Sequence, residues 1–455
     1  MAWWVGCAGP SDGGPDASDD GSSADADADT DADADSDSDA DTDTDADSDA
    51  DTDADADPTA LCPELPPVDT DCTKAEVVCV GSEVDTLAAA ARQVGPGSTV
   101  VVAPGRYDGV EIDVSGTEAA PIVWYADGAV ELDQPGPTGD GIRLTDASWV
   151  TIRGFTITDP PERCIAARDA RPTDPMVGLV IAEVTCERSG VEGFYLSEVS
   201  DSVIRRNTIT TTGTSGSSRS HGIYLANAGS DGTTLDCNTI SGATTAESNG
   251  IHFNGDASVG GDGVISGLTV AGNVVFGNLQ NGFNLDGVQD SLFIGNLVYD
   301  NGQHALRAYR IDGAQGPRGL VVIANTLIGD AAFKTSEDGG DHVVFDNVLV
   351  ATSGEEGAIS IDSASTFQSA SNLIVGRITP DDQRTFLTLA EWQDAGYDAG
   401  SVTAPVGTLF DADYTPAAGS IGIDAGIPSF AGHDAPTVDL RGTPRPTSDL
   451  GAIER

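Results

Sequence analysis

The residues with the most chemistry to offer recur at near-regular intervals. Tyr195, Tyr224, His252, Asn284, Arg307 and Lys334 each follow a small residue and an apolar one: Gly193-Phe194, Gly222-Ile223, Gly250-Ile251, Gly282-Phe283, Ala305-Leu306 and Ala332-Phe333. Two positions further on stand Ser197, Ala226, Asn254, Asp286, Tyr309 and Ser336, and just ahead of the pairs stand Glu192, His221, Asn249, Asn281, His304 and Ala331. Side chains of an extended strand alternate between faces. If the apolar member of each pair points inward, its successor points outward. Stacked strands lie about 4.8 Å apart, so the three columns form a flat polar and aromatic strip. Its middle holds His221, Tyr224, His252, Asn254, Asn284, Asp286, Arg307 and Tyr309. Tyr faces stack on sugar rings, while Asn, Asp and Arg hydrogen-bond hydroxyls and carboxylates. Such an elongated strip suits an extended polysaccharide, with Tyr195, His221, Asn254, Asn284, Asp286 and Tyr309 as its binding residues. The plainer alternative is that these are the solvated outer residues any stacked sheet must carry.

The elements that would position the strip announce themselves in a second repeat. Asn207-Thr208-Ile209, Asn238-Thr239-Ile240, Asn273-Val274-Val275, Asn296-Leu297-Val298, Asn325-Thr326-Leu327, Asn347-Val348-Leu349 and Asn372-Leu373-Ile374 follow one another at intervals of 22 to 35 residues. Periods of that size mean stacked supersecondary units. Each period holds short, β-branched, alternating segments, which read as strands. One unit cannot bury its apolar face alone, so the units share a continuous core. The fold expected is an all-β, single-stranded parallel β-helix of nine or ten coils. The recurring Asn is read as structural, tolerating a positive φ at a sharp turn and stacking on the Asn of the next coil.

Composition narrows the partners. The chain has 455 residues and a net charge of −53, which argues against nucleic acid. Asp alternates with Ala, Ser or Thr from Asp25 to Asp57, a run expected to be an extended, self-repelling spacer. Residues 1–57 carry 21 Asp and no other charged residue, which leaves −32 for the remainder. A polyanionic ligand is therefore repelled at long range unless a local basic patch intervenes. Arg307, Arg310 and Lys334 are the candidate patch. The start, Val5-Gly6-Cys7, is similar to the end of a bacterial lipoprotein signal, so Cys7 is the one expected membrane attachment. Cys62, Cys72 and Cys79 cluster at the entry to the folded region, and one disulfide is expected there. Cys186 aligns with the core position Ile209 and reads as a small buried hydrophobe. The divisions expected are residues 1–23 as signal remnant and spacer start, 24–57 as tether, 58–80 as linker, 81–378 as solenoid and 379–455 as an irregular closing segment.

A helix expected over Val84–Val94, strand residues Thr99–Val102 and a turn at Pro104-Gly105-Arg106-Tyr107 together resemble the N-terminal cap of right-handed β-helix proteins of the pectate-lyase-like superfamily. His221-Gly222-Ile223-Tyr224-Leu225 and Gly250-Ile251-His252-Phe253-Asn254 look like the repeats of their bacterial surface and secreted members. The resemblance implies a carbohydrate-active protein, extracellular or on the outer cell surface, monomeric, and lyase-like or epimerase-like. In such enzymes a cation neutralises a uronate carboxylate and a base takes the neighbouring proton. His252 or Tyr224 would be the base, Arg307 the neutralising group, and Lys334 an alternative base. Calcium is the implied cofactor, with Asp256 and Asp286 as its candidate ligands. The same two carboxylates on adjacent coils would serve a hydrolase instead, a reading ranked below lyase. Outside enzymes altogether stand a glycan-binding or adhesin module and a purely structural spacer.

Overall fold

Three parallel sheets carry nearly every strand between Val77 and Thr379. The computed structural model describes residues 61–168, 175–227, 229–258, 260–337 and 339–455. Cys7 and the Asp-rich run lie outside the described residues. Sheet I has 12 strands, from Val77–Val80 to Gln368–Ala370. Sheet II has 11, from Val110–Ile112 to Ile378–Thr379, and sheet III has 11, from Gly105–Asp108 to Leu373–Val375. The chain visits I, III and II in turn, each strand pairing in parallel with its counterpart on the next coil. This is a right-handed parallel β-helix, the hand that parallel crossovers take almost without exception.

The strip's register follows the sequence reading. Ile142, Ile165, Phe194, Ile223, Ile251, Phe283, Leu306 and Phe333 lie in one ladder, all essentially buried. Lys334 stands opposite Arg307 as expected. The Asn column closes into a ladder. Each Asn side-chain nitrogen donates to the Oδ1 of the next, from Asn207 to Asn372, at 2.9–3.0 Å. The ladder ends on Asp398, whose carboxylate accepts from Asn372, Ser401, Ser369 and the Trp392 indole.

Several expectations need correction. The positive φ at this corner falls one residue before each Asn, at Arg206, Cys237, Gly272, Gly295, Ala324, Asp346 and Ser371. The Asn is conserved in geometry because of its hydrogen bonds, not its backbone angle. There are about eleven coils rather than nine or ten, because the early coils place Phe155 and Val184 where later ones place Asn. The N-terminal helix shrinks to α1 (Leu87–Ala91), capped by the Thr86 hydroxyl, because Val84 is drawn into a bridge with Val80. Gly105–Asp108 is a strand on sheet III, not a turn.

Three disulfides are present among the described residues. Cys72–Cys79 is the local one expected at the entry; Cys62 instead reaches Cys237, and Cys164 pairs with Cys186 inside the core. Cys186 is thus buried, but as half of a cross-link between adjacent coils. Leu61 lies against Gly272 and Gly295 in an apolar cluster with Ala271 and Ile294, and Arg153 and Arg206 donate to the carbonyls of Pro66 and Cys62, so the entering segment lies along the flank. At the far end α2 (Leu389–Asp394) buries Trp392 over Phe367. The chain then returns along the outside, where Ile427 and Phe430 cover Phe345 and Ile453 covers Leu297.

Candidate functional site

On the outer face of sheet II the structure gathers His221, Tyr224, His252, Asn254, Asn284, Arg307 and Tyr309 around one open cleft of about 230 Å³. Strand alternation sets this up: in Ile251–Asn254, Ile251 and Phe253 are fully buried and His252 stands between them, facing out. The strip is neither flat nor freely solvated, however. His221, Asn254 and Asn284 are buried, and the segment after Tyr309 folds over the strands.

The rings form a compact stack. Tyr224 lies parallel to His252 at 4.9 Å, and His221 sits 4.5 Å from His252 and 5.0 Å from Tyr224. Tyr224 Oη accepts from Asn254 Nδ2 at 2.8 Å, and Tyr309 Oη accepts from Asn284 Nδ2 at 2.8 Å. Each phenol therefore keeps its own O–H for another partner. Arg307 lies over the Tyr309 ring at 4.3 Å.

Unpaired polar atoms concentrate at this place: of seven buried side-chain atoms without a hydrogen-bond partner among the described residues, four lie here, and Trp124 Nε1, Arg206 Nε and Arg445 Nε are scattered elsewhere. Among the described residues, His252 Nε2, Asn254 Oδ1, Asp286 Oδ2 and Arg307 Nε are buried with no hydrogen-bond partner. Such atoms are costly to leave unpaired, and here four of them occur on three adjacent coils. Two larger hollows beside α1 contain none of these atoms.

Burial also sets the protonation states. It holds His252 down at about 3, with the Arg219 charge adding to the effect, and holds His221 well below the ordinary imidazole value. It pushes Tyr224 up to about 12, against the hydrogen bond from Asn254. Burial raises Asp286 to about 7, although its Oδ1 accepts from the Ile311 N–H at 2.6 Å. Asp286 and Asn254 face each other across one rung. Two bare acceptors cannot satisfy one another, but a protonated Asp286 can donate to Asn254 Oδ1.

Four predicted site residues lie apart from the cleft lining. Tyr195 stands one coil earlier, edge-on to Tyr224 at 5.6 Å and beneath Arg163 at 4.9 Å. Lys334 is ion-paired to Glu356 at 2.8 Å, which also accepts from Gln383. Asp286 is buried under the Ile311 segment, and Asp256 Oδ1 accepts from the Ser258 N–H. The basic patch likewise contracts. Arg310 pairs with Glu337 and Lys334 with Glu356, which leaves Arg307 as the cation of the group without an ion pair among the described residues. The calcium expected from sequence meets no assembled cluster of ligands: no group of three or more His, Cys, Asp or Glu able to hold a metal occurs among the described residues, and both candidate carboxylates are engaged by backbone N–H groups. The reading from sequence missed Arg219, Glu247, Gln280, Ile311 and Asp312, which complete the cleft. Ile311 and Asp312 were signalled by the break in repeat spacing at Ile311-Asp312-Gly313-Ala314-Gln315-Gly316-Pro317, and the other three by nothing in the spacing.

No family model and no curated protein matches this chain. Among solved structures it is similar to the pectate lyase Pel9A, at 14% identity and a TM-score of 0.49, covering 82% of this chain and 92% of that one. It is also similar to the A-module of the mannuronan C-5 epimerase AlgE4 of Azotobacter vinelandii, at 16% identity and 0.42, covering 70% and 93%. An alginate lyase from Paenibacillus sp. str. FPU-7 stands at 17% and 0.39, covering 65% and 95%. These scores assign no residue a role here, and the site must speak through its own geometry.

Proposed function

We propose that this protein is a carbohydrate-active β-helix protein that seats an acidic polysaccharide across sheet II, and that it does so first as a binder. The observation that carries this reading is the convergence of unspent donors on the cleft. Arg307 Nε and His252 Nε2 lack partners, and the Tyr224 and Tyr309 hydroxyls are free to donate. A cationic fork with neutral donors around it matches a sugar carboxylate and its neighbouring hydroxyls. The half-exposed Ile311 at the rim offers an apolar edge for a ring. The remaining charge of −32 disfavours distant attraction, so affinity rests on these short contacts.

Turnover is the second reading, carried by Tyr224. Its phenol is protonated at neutral pH and faces the cleft, which allows proton delivery to a leaving glycosidic oxygen, while burial makes it a weaker acid than an ordinary phenol. Elimination also needs a base, and His252, although unprotonated at neutral pH, is made a weak one by its burial. That ordering places binding ahead of lyase-like chemistry, the reverse of the order expected from sequence. Attachment to the outer cell surface through Cys7 and the acidic spacer remains part of the proposal.

The test is affinity electrophoresis of the full chain through gels containing polygalacturonate, alginate or a neutral glucan. Retardation by a polyuronate, absent with the glucan and lost in Arg307→Ala, supports the reading. Equal mobility in all gels overturns it. Ultraviolet absorbance of an unsaturated uronate product would promote turnover to first place.

A further inference from the structure

Three hydrogen bonds in series fix where the protons sit in this site. The His221 ring is a rung of a backbone ladder: its Nδ1 accepts the Asn249 N–H at 3.1 Å, with the Asn249 side-chain nitrogen at 3.4 Å. The same column does the same thing on other coils, where Asn249 Oδ1 accepts the Asn281 N–H, Asn281 Oδ1 the His304 N–H, and His304 Nδ1 the Ala331 N–H. A nitrogen that accepts a backbone N–H carries no proton, so a neutral His221 bears its hydrogen on Nε2. That Nε2 lies 3.1 Å from His252 Nδ1. His221 donates, His252 Nδ1 accepts, and the hydrogen of His252 falls on Nε2, the atom that is buried, unpartnered and in the cleft.

We infer that His252 is a fixed hydrogen-bond donor to the bound ligand rather than a base, and that His221 is the positioning residue that locks it in that state. The inference rests on the ligand site proposed above and names what that site does with its central histidine. For His252 to present a lone pair, its Nδ1 would need a hydrogen. His221 would then have to give up its only N–H or break the rung to Asn249. Protonating His252 meets the same obstacle, because Nδ1 is already occupied as an acceptor. Of the charged groups around the pair the two arginines act in the same direction, and Asp312, which also lines the cleft, acts against them. Arg219 stands near both rings and Arg307 lines the same cleft, each opposing a further positive charge, while Glu247 is engaged by Arg219. The ligand of such a donor is an acceptor, a carboxylate or carbonyl oxygen, and its grip does not depend on pH across the neutral range.

The direct test is long-range proton–nitrogen NMR of the full chain labelled with 15N-histidine, recorded at pH 5, 6, 7 and 8. The expected result is a His252 Nε2 bearing hydrogen and an Nδ1 of pyridine type at every pH. An Nδ1–H tautomer, or an imidazolium shift titrating in that range, overturns the inference. His221→Asn supplies the positioning control, since Asn already serves as the rung at positions 249 and 281. This variant should fold and release His252 into a mixture of tautomers, and an unchanged His252 spectrum would remove His221 from the role. In the polyuronate gels, His252→Gln keeps an N–H of similar reach and should retain binding within about threefold, whereas His252→Leu should lose about tenfold or more. Equal loss in both variants counts against a donor role. Absent binding with the expected tautomers would sink the ligand reading and leave the proton lock standing.

Discussion

Two polar columns climb this solenoid, one at the corner between sheets I and III and one on sheet II. At the corner, Asn238 donates through its backbone N–H and Nδ2 to Asn273 and through Nδ2 to the Ile204 carbonyl, and its Oδ1 accepts two bonds from Asn207. On sheet II the rungs His221, Asn249, Asn281 and His304 are closed in the same manner, but the residues beside them hold four unpartnered buried atoms. The same device, a polar side chain bridging coils, makes structure where it is complete. It makes a candidate site where it is left open toward solvent.

Removing a rung from the closed column should have the largest effect. Asn273→Ala strips the acceptor from Asn238 and the donor from the Leu235 and Ala271 carbonyls. The expected loss is about 3–5 kcal/mol in urea unfolding, from several buried groups left unpaired. His252→Leu on the open column should cost less, about 1–2 kcal/mol, because only the buried His221 Nε2–H loses its acceptor while His252 Nε2 has no partner to lose. Similar losses in the two variants would erase the distinction between the columns.

A second contrast sets Asp286 beside Asp346. Burial raises both to about 7, but Asp346 accepts from the Ile427 N–H with both oxygens, whereas Asp286 leaves Oδ2 bare. A carboxyl that titrates higher in the folded state than its unfolded value of 3.8 holds its proton longer when folded. Stability therefore falls as pH rises from about 4 through about 7. Asp286→Asn supplies a permanent donor to Asn254 Oδ1. It should be more stable than the parent at pH 8 by on the order of 2 kcal/mol, with little difference at pH 4.5. Urea titrations at the two pH values decide this, and an unchanged slope would return Asp286 to the ordinary carboxylates. Asp346→Asn should lack the gain, because its amide would set a donor against Ile427.

Among the cations the contrast is between spent and unspent charge. Lys334 and Arg310 are held by Glu356 and Glu337, and Arg307 by no carboxylate among the described residues. Arg307→Ala should weaken polyuronate binding by tenfold or more, about 1.4 kcal/mol, and Lys334→Ala by less than twofold. An equal loss would mean that long-range charge, not the cleft, drives binding.

The sequence displayed the fold almost completely and the site only in outline. Register was legible because a residue outside the ladder by one place flips its face, so Gly222-Ile223 and Gly250-Ile251 fixed Tyr224 and His252 together. Even Lys334 fell into its place. Partners across coils were not legible. Nothing in the string showed that Lys334 meets Glu356, that Cys62 reaches Cys237, or that Cys164 and Cys186 join, since those pairings depend on side-chain reach and on where segments outside the repeat run. The covering segment at Ile311 was visible only as a break in the period. The tautomer of His252 follows from the Asn249 N–H acting through His221 on the neighbouring coil, which no spacing rule encodes.

The smallest effects should come from the two tyrosines, and they should differ. Tyr224→Phe and Tyr309→Phe each remove one hydroxyl donor from the cleft, and each should weaken binding two- to fivefold, about 0.5–1 kcal/mol. Their consequences for stability diverge through the amides that serve them. Asn284 Oδ1 is committed to Asn281 Nδ2, so loss of the Tyr309 hydroxyl strands Asn284 Nδ2 and should cost about 1 kcal/mol. Asn254 Oδ1 has no partner, so loss of the Tyr224 hydroxyl frees the whole amide to turn and donate to Asp286 Oδ2 across the rung. Tyr224→Phe should then be nearly neutral for stability at pH 8, where Asp286 is ionised and gains a donor. A double-mutant cycle isolates that exchange. Combined with Asp286→Asn, which already supplies a donor on the other side of the rung, Tyr224→Phe should lose its compensation and show the full cost. Additive effects in the cycle would mean that Asn254 does not turn, and that its bare oxygen is held for the ligand alone.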